Sequence, residues 1–187
     1  MKIKQTSLPD IMTITPKRFK DYRGFFRESW NKQHLASYGI NIDFVQDNHS
    51  FSKHAGTIRG LHFQSPPHAQ DKLVSCNHGR LFDVAVDIRK GSPTYGDWVG
   101  EELSFENGKQ LLIPKGFLHG FMTLEPNTEI IYKCSDYYVP ECDGVVHWDT
   151  CGIGWPTKFE TPIQSTKDRF AMTMSDFLSP FVYGYTS

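Results

Sequence analysis

The chain has 187 residues and a formal net charge of −1. That length buries a sizeable core within one domain, residues 1–187, without help from disulfides. The even charge excludes a general nucleic-acid binder, which needs a basic face. There is no signal peptide and no apolar run long enough to span a bilayer, and the four cysteines lack C-x-x-C spacing. The expectation is a cytoplasmic protein with reduced thiols and no zinc or thiol-redox chemistry.

Fourteen Phe, eight Tyr and eleven Pro, with few long helical patterns, predict an all-β fold. Residues 11–15 alternate as a strand that Pro16 stops. Asp21-Tyr22-Arg23-Gly24 is a turn, and the aromatic stretch after it reads as a strand. Phe19, Phe26 and Trp30 are expected in the core. A merely solvated role suits Arg27 better than Arg23 and Glu28, which flank the aromatic cluster. Residues 31–40 form a short helix or loop ended by Gly39. Residues 44–50 read as a polar strand with Gln46, Asn48 and Ser50 on one face. Buried amides cost free energy unless hydrogen-bonded, so that face meets solvent or a polar ligand.

Residues 56–64 alternate next. Strand periodicity puts Ile58, Gly60, His62 and Gln64 on one face and Arg59, Leu61 and Phe63 on the other. A lone histidine on a strand is more often structural than functional. Its weight rises with a second pattern, Gly108-x5-Pro114-x-Gly116-x2-His119, which pairs with Gly56-x5-His62. Together they resemble the two motifs of the cupin superfamily. The resemblance implies a double-stranded β-helix, a jelly-roll barrel, with a few short peripheral helices. Metal-binding cupins place His-x-His and a Glu in the first motif. Here Gln64 replaces the second His, and Gln70 and Lys72 lie where the Glu is expected. Two imidazoles beside a lysine make a poor cation site, so neither metal nor cofactor is expected.

Residues 65–71 are Pro-rich and irregular, with His68 exposed. Residues 72–76 and 81–88 read as a hairpin about Gly79, in which Phe82, Val84, Val86 and Ile88 form an apolar face away from Asp83, Ala85 and Asp87. Residues 98–105, 111–114, 117–123 and 129–133 supply further strands, and this succession of strand and turn supports a sandwich or barrel. Residues 140–156 read as ordered loop. Ser165 opens a helix in which Asp168 is the acidic member of a capping box, a role that requires no other function.

In their order and spacing these segments resemble the dTDP-4-dehydrorhamnose 3,5-epimerase family over nearly the whole chain. The resemblance rests on Asp21-x-Arg23-Gly24-x-Phe26-x-Glu28, Gln46-x-Asn48, Arg59-Gly60-Leu61-His62, Lys72-Leu-Val, Asp83-Val-Ala-Val-Asp87-x-Arg89 and Pro114-x-Gly116-Phe-x-His119. It continues through Tyr132-Lys133, Tyr137-Tyr138, Trp155-Pro156 and Ser165-x-Lys167-Asp168. It implies an isomerase acting on a dTDP-sugar with a C4 ketone. His62 would be the base, oriented by Asp168, with Tyr132 the acid and Lys72 the charge beside the enolate oxygen. Arg23, Arg59 and Lys167 would meet the diphosphate or nearby groups. Phe26, Glu28, Gln46, Asp47, Asn48 and His119 would bind nucleotide and sugar, and Tyr138 would stack on thymine. Asp143 stands where the family usually has Glu. The implied assembly is a homodimer whose exchanged N-terminal segment carries Arg23 and Glu28 to the neighbouring site. Competing readings are an epimerase of one centre or another nucleotide sugar, a metal-dependent cupin oxygenase, and a sugar-binding cupin without activity.

Overall fold

The computed structural model describes residues 1–156 and 161–184. In chain order the elements are β1 (Lys2–Gln5), β2 (Met12–Thr15), β3 (Arg18–Asp21), β4 (Gly24–Arg27), α1 (Lys32–Ala36), β5 (Gln46–Ser52), β6 (Ile58–Gln64) and β7 (Lys72–His78). There follow β8 (Arg80–Asp87), β9 (Trp98–Ser104), β10 (Gln110–Ile113), β11 (Phe117–Thr123), β12 (Thr128–Cys134), β13 (Asp143–Val145) and α2 (Thr166–Arg169). The strands form a six-stranded sheet, β1-β2-β10-β7-β12-β5, a five-stranded sheet, β13-β6-β11-β8-β9, and the separate hairpin β3-β4. This is the cupin-type fold. Among the described residues no helix is long and apolar enough to cross a membrane.

The two sheets close on a shared core in which Val74, Leu111 and Ile130 from one meet Leu81, Ala85, Leu103 and Phe121 from the other. A second core lies outside the barrel. There Ile58, Leu61, Val84, Val86 and Ile88 pack beneath Val146, Trp155, Phe177 and Phe181 of the C-terminal segment. This explains why β8 is apolar on both sides: one face fills the barrel and the other receives the tail. On the far side, α1 lays Leu35 over Ile14, Leu73 and Leu112. Asn31 caps this helix by accepting the His34 N–H at 3.0 Å.

Three expectations are corrected. First, β7 and β8 are not a hairpin, because each pairs within a different sheet. The single linking residue Gly79, at φ +73°, turns the chain from one sheet into the other, where a two-residue turn would have folded it back. Second, Phe19 and Phe26 are 53% and 69% exposed. Their hairpin forms a sheet of its own whose Phe25 side packs on Phe105, and Phe19 and Phe26 sit on the opposite, exposed side. Trp30 alone of the three reaches a core, edge-on to Phe44. Third, residues 140–156 are not all loop, since β13 extends the five-stranded sheet alongside β6.

Candidate active site

Strict alternation would place Ile58 and His62 on the same face of β6. Instead Ile58 and Leu61 both reach the outer core, while Arg59 and His62 both line the barrel cavity. The cause is Gly60, at φ +128°, where the register against β11 shifts between His119 and Phe121. Such a bulge inserts one residue and re-aims the side chains after it. A Cβ on Gly60 would lie 2.6 Å from the Gly120 Cα, so the strands can approach this closely only at glycine. Burying Ile58 and Leu61 contributes about 1.5–3 kcal/mol each. That anchors the register which turns His62 inward.

Ser165 caps α2 as the sequence suggests, accepting the Asp168 N–H at 3.1 Å. The Asp168 carboxylate, however, does not return to the helix terminus. It enters the barrel and accepts from His62 Nε2 at 2.6 Å, with its side chain 3% exposed against 34% for the imidazole. Burial raises the Asp168 carboxyl, but the hydrogen bond and charge of His62, with Ser165 and the Gly60 backbone, outweigh it and hold the group below the usual carboxylate range. With Nε2 committed to Asp168, the lone pair of Nδ1 is the one left for a substrate proton.

The cavity, about 520 Å³, is also lined by Asn48, Lys72, His119, Tyr132 and Lys167. A lobe of about 360 Å³ shares His62, Lys72, Tyr132 and Lys167 with it and adds Gln46, Tyr138 and Asp143. Arg59, His62 and His119 come from the five-stranded sheet, whereas Asn48, Lys72 and Tyr132 come from the six-stranded sheet. The chemistry-bearing groups thus reach the space from two walls. Burial pushes Lys72 below the ordinary lysine range, against the opposing pull of Cys134, Asp143 and Asp83. Burial raises the Tyr132 phenol above its ordinary value, with Cys134 adding to it and Arg59 and Asn48 opposing. Among the described residues no hydrogen-bond acceptor or ion pair occupies the Lys72 ammonium, which leaves it for a developing oxyanion.

At the mouth, Tyr138 is 55% exposed, and its hydroxyl donates to Asp143 Oδ2 at 3.0 Å. Lys167 is paired with that same Asp143 oxygen. Four expected binding residues lie outside the cavity of their own chain. Asp47 alternates away from Gln46 and Asn48 and pairs with Lys133 at 2.9 Å in a separate groove, because strand periodicity sends it to the other face. Arg23 bonds Asp21 at 2.6 Å, Phe26 is exposed on the free hairpin, and Glu28 meets His34 at 2.9 Å.

Sequence reasoning passed over Asp83. It is wholly buried and receives His119 Nε2 at 2.8 Å, making a second imidazole–carboxylate pair. Its signal was a charge inside an apolar run, which burial tolerates only with a partner. Gln64, at the position of the second cupin histidine, has its amide engaged by backbone groups of two loops. Among the described residues no group of three or more His, Cys, Asp or Glu is arranged to hold a metal.

The sequence model of the dTDP-4-dehydrorhamnose 3,5-epimerase family matches residues 5–176. The chain belongs to this family. A relative of that name from Salmonella typhimurium is 49% identical over 181 residues, covering 95% of this chain and 98% of its own. The crystal structure of the Bacillus anthracis 3,5-epimerase with TDP and PPi bound superposes with a TM-score of 0.89 at 47% identity, covering 92% of this chain and 99% of that one. A Legionella pneumophila 3,5-epimerase in complex with dTDP-4-keto-L-rhamnose gives a TM-score of 0.93 at 43% identity, covering 100% and 99%.

Proposed function

We propose that this epimerase-family cavity converts dTDP-4-dehydro-6-deoxy-D-glucose to dTDP-4-dehydro-L-rhamnose by inverting C3 and C5. The observation that carries the reading is that an imidazole backed by a carboxylate, His62–Asp168, and a protonated phenol, Tyr132, enter one cavity from facing sheets. Inversion needs a base on one side of the carbon and an acid on the other.

His62 Nδ1 takes the proton from a carbon beside the C4 ketone, and the C–H electron pair moves into an enolate. Asp168 stabilises the imidazolium as it forms. Lys72 carries the counter-charge for the C4 oxygen. Tyr132 gives its proton to the same carbon from the other face; solvent then returns a proton to the Tyr132 phenolate and takes one from the His62 imidazolium, which resets both groups. The sequence repeats at the second carbon. Arg59 and Lys167 suit the diphosphate, Gln46, Asn48 and His119 the polar groups of the ligand, and Tyr138 the thymine face. Asp47, turned away, has no part.

The reading extends to a homodimer in which the exposed β3-β4 hairpin brings Arg23, Phe26 and Glu28 to the partner's cavity, and to a cytoplasmic enzyme. Incubating the protein with dTDP-4-dehydro-6-deoxy-D-glucose in D₂O tests the chemistry. Deuterium at both C3 and C5 of an inverted product is expected. Label and inversion at one carbon only would favour a single-centre epimerase.

A further inference from the structure

We propose that Gln64 is a positioning residue that fixes Tyr138 over the cavity mouth and thereby sets affinity for the nucleobase. This rests on the reading that Tyr138 receives the base. Gln64 is 5% exposed and sits opposite Asp143 in the pairing of β6 with β13. Its amide reaches past the sheet edge to both neighbours of Tyr138. Nε2 donates to the Tyr137 carbonyl at 3.0 Å, and Oε1 accepts the Val139 N–H at 2.7 Å. A second Nε2 bond, 2.6 Å to the His68 carbonyl, ties in the Pro-rich loop. Gln46 Oε1 accepts the Tyr138 N–H at 3.0 Å. Asp143 holds the hydroxyl end of the same ring. An exposed aromatic side chain is thus held at its backbone by two strand-borne amides and at its tip by a carboxylate.

The chemistry of the amide matters. Only a group that donates and accepts from one planar end serves the Tyr137 carbonyl and the Val139 N–H together. Glutamate would keep the acceptor and lose both donated bonds; leucine would lose all three. A ring already held in its stacking pose pays less ordering entropy when the base arrives. Gln64 lies two residues from His62, so an effect on chemistry must be separated from an effect on the base.

The test compares wild type, Gln64→Leu, Gln64→Glu, Tyr138→Ala and the Gln64→Leu/Tyr138→Ala double variant. Calorimetry measures dTDP and pyrophosphate binding, and steady-state assays give kcat and KM. Gln64→Leu is expected to weaken dTDP about tenfold, within the range that base stacking supplies. Pyrophosphate affinity and kcat at saturation should stay within about twofold. Against the Tyr138→Ala background the same substitution should add no further loss of dTDP affinity. If Gln64→Leu does not fold, Gln64→Glu carries the same comparison. Additive losses in the double variant, an equal loss of pyrophosphate, or a fall in kcat with unchanged dTDP affinity would each overturn the proposal. A wild type that binds dTDP but does not turn over the sugar would sink the proposed reaction instead, leaving the binding comparison readable.

Discussion

His62 and His119 are direct neighbours across β6 and β11, and each imidazole gives its Nε2 to a different carboxylate, Asp168 and Asp83. The two pairs differ in access. The His119 side chain is 7% exposed with a fully buried partner, whereas His62 opens into the cavity. The proposed mechanism therefore assigns proton abstraction to His62 rather than to His119. His62→Asn should lower turnover and solvent deuterium incorporation by about a hundredfold or more. Asp168→Asn should follow it, since the imidazole loses its tautomer and its counter-charge. His119→Asn should keep measurable exchange. Equal loss of exchange in His62→Asn and His119→Asn would remove the distinction.

Tyr132→Phe separates removal of a proton from its return. His62 would still abstract, and the carbon would regain deuterium on the face it left. Slow exchange with little inverted product is expected. If Tyr132 only fills space on β12, phenylalanine should leave both readouts near wild type.

Burial sends Lys72 and Tyr132 in opposite directions, Lys72 below its ordinary range and Tyr132 above. Lys72 therefore sheds its charge at a lower pH than an ordinary lysine, and Tyr132 keeps its proton to a higher pH than an ordinary phenol. The alkaline limb of kcat/KM, which reports the free enzyme, should therefore belong to Lys72. Lys72→Arg should move that limb to higher pH whatever activity remains, and Tyr132→Phe should leave it in place. A limb shifted by Tyr132→Phe and untouched by Lys72→Arg would reverse the assignment.

The displaced hairpin predicts complementation between subunits. An Arg23→Ala chain and a His62→Asn chain should each be poorly active, and co-expressed heterodimers should regain one working cavity. Size measurement giving a monomer, or mixtures no better than their parents, would count against the shared site.

Asp87 tests the scaffold. Its carboxylate is fully buried and accepts from Arg89, Ser92 and Thr94. Burial raises its pKa, yet these partners prevail and hold it below the usual range. Asp87→Ala should cost about 3–5 kcal/mol by chemical denaturation, because among the described residues it leaves the largely buried Arg89 with the half-exposed Asp10 as its one carboxylate partner. For a depressed carboxylate the unfolded chain binds more protons as pH falls. Its stabilisation is complete above the ordinary carboxylate range and is lost on acidification through the lowered value. Asp87→Ala should accordingly flatten the acid side of the stability profile.

How far the sequence speaks depends on the range of the interaction. Period-two alternation correctly put Gln46 and Asn48 on one face, and it should have turned Asp47 away from them. It failed at β6, where the bulge depends on Gly120 of another strand. It also failed at Gly79, where only the second sheet reveals that the chain crosses over. Ser165 announced its cap locally. The destination of the Asp168 side chain did not, because its partner lies 106 residues away. Phe26 looked like core because hydrophobicity is visible in a sequence and the lack of a covering layer is not.

The tail that buries the outer core is stitched on by short bridges, Thr57 to Ile163 and Val146 to Met172, and it alone delivers Asp168. Under the proposed mechanism, competence thus rests on this clasp as well as on closure of the sheets, and a nick between β13 and α2 should lower activity more than it loosens the barrel.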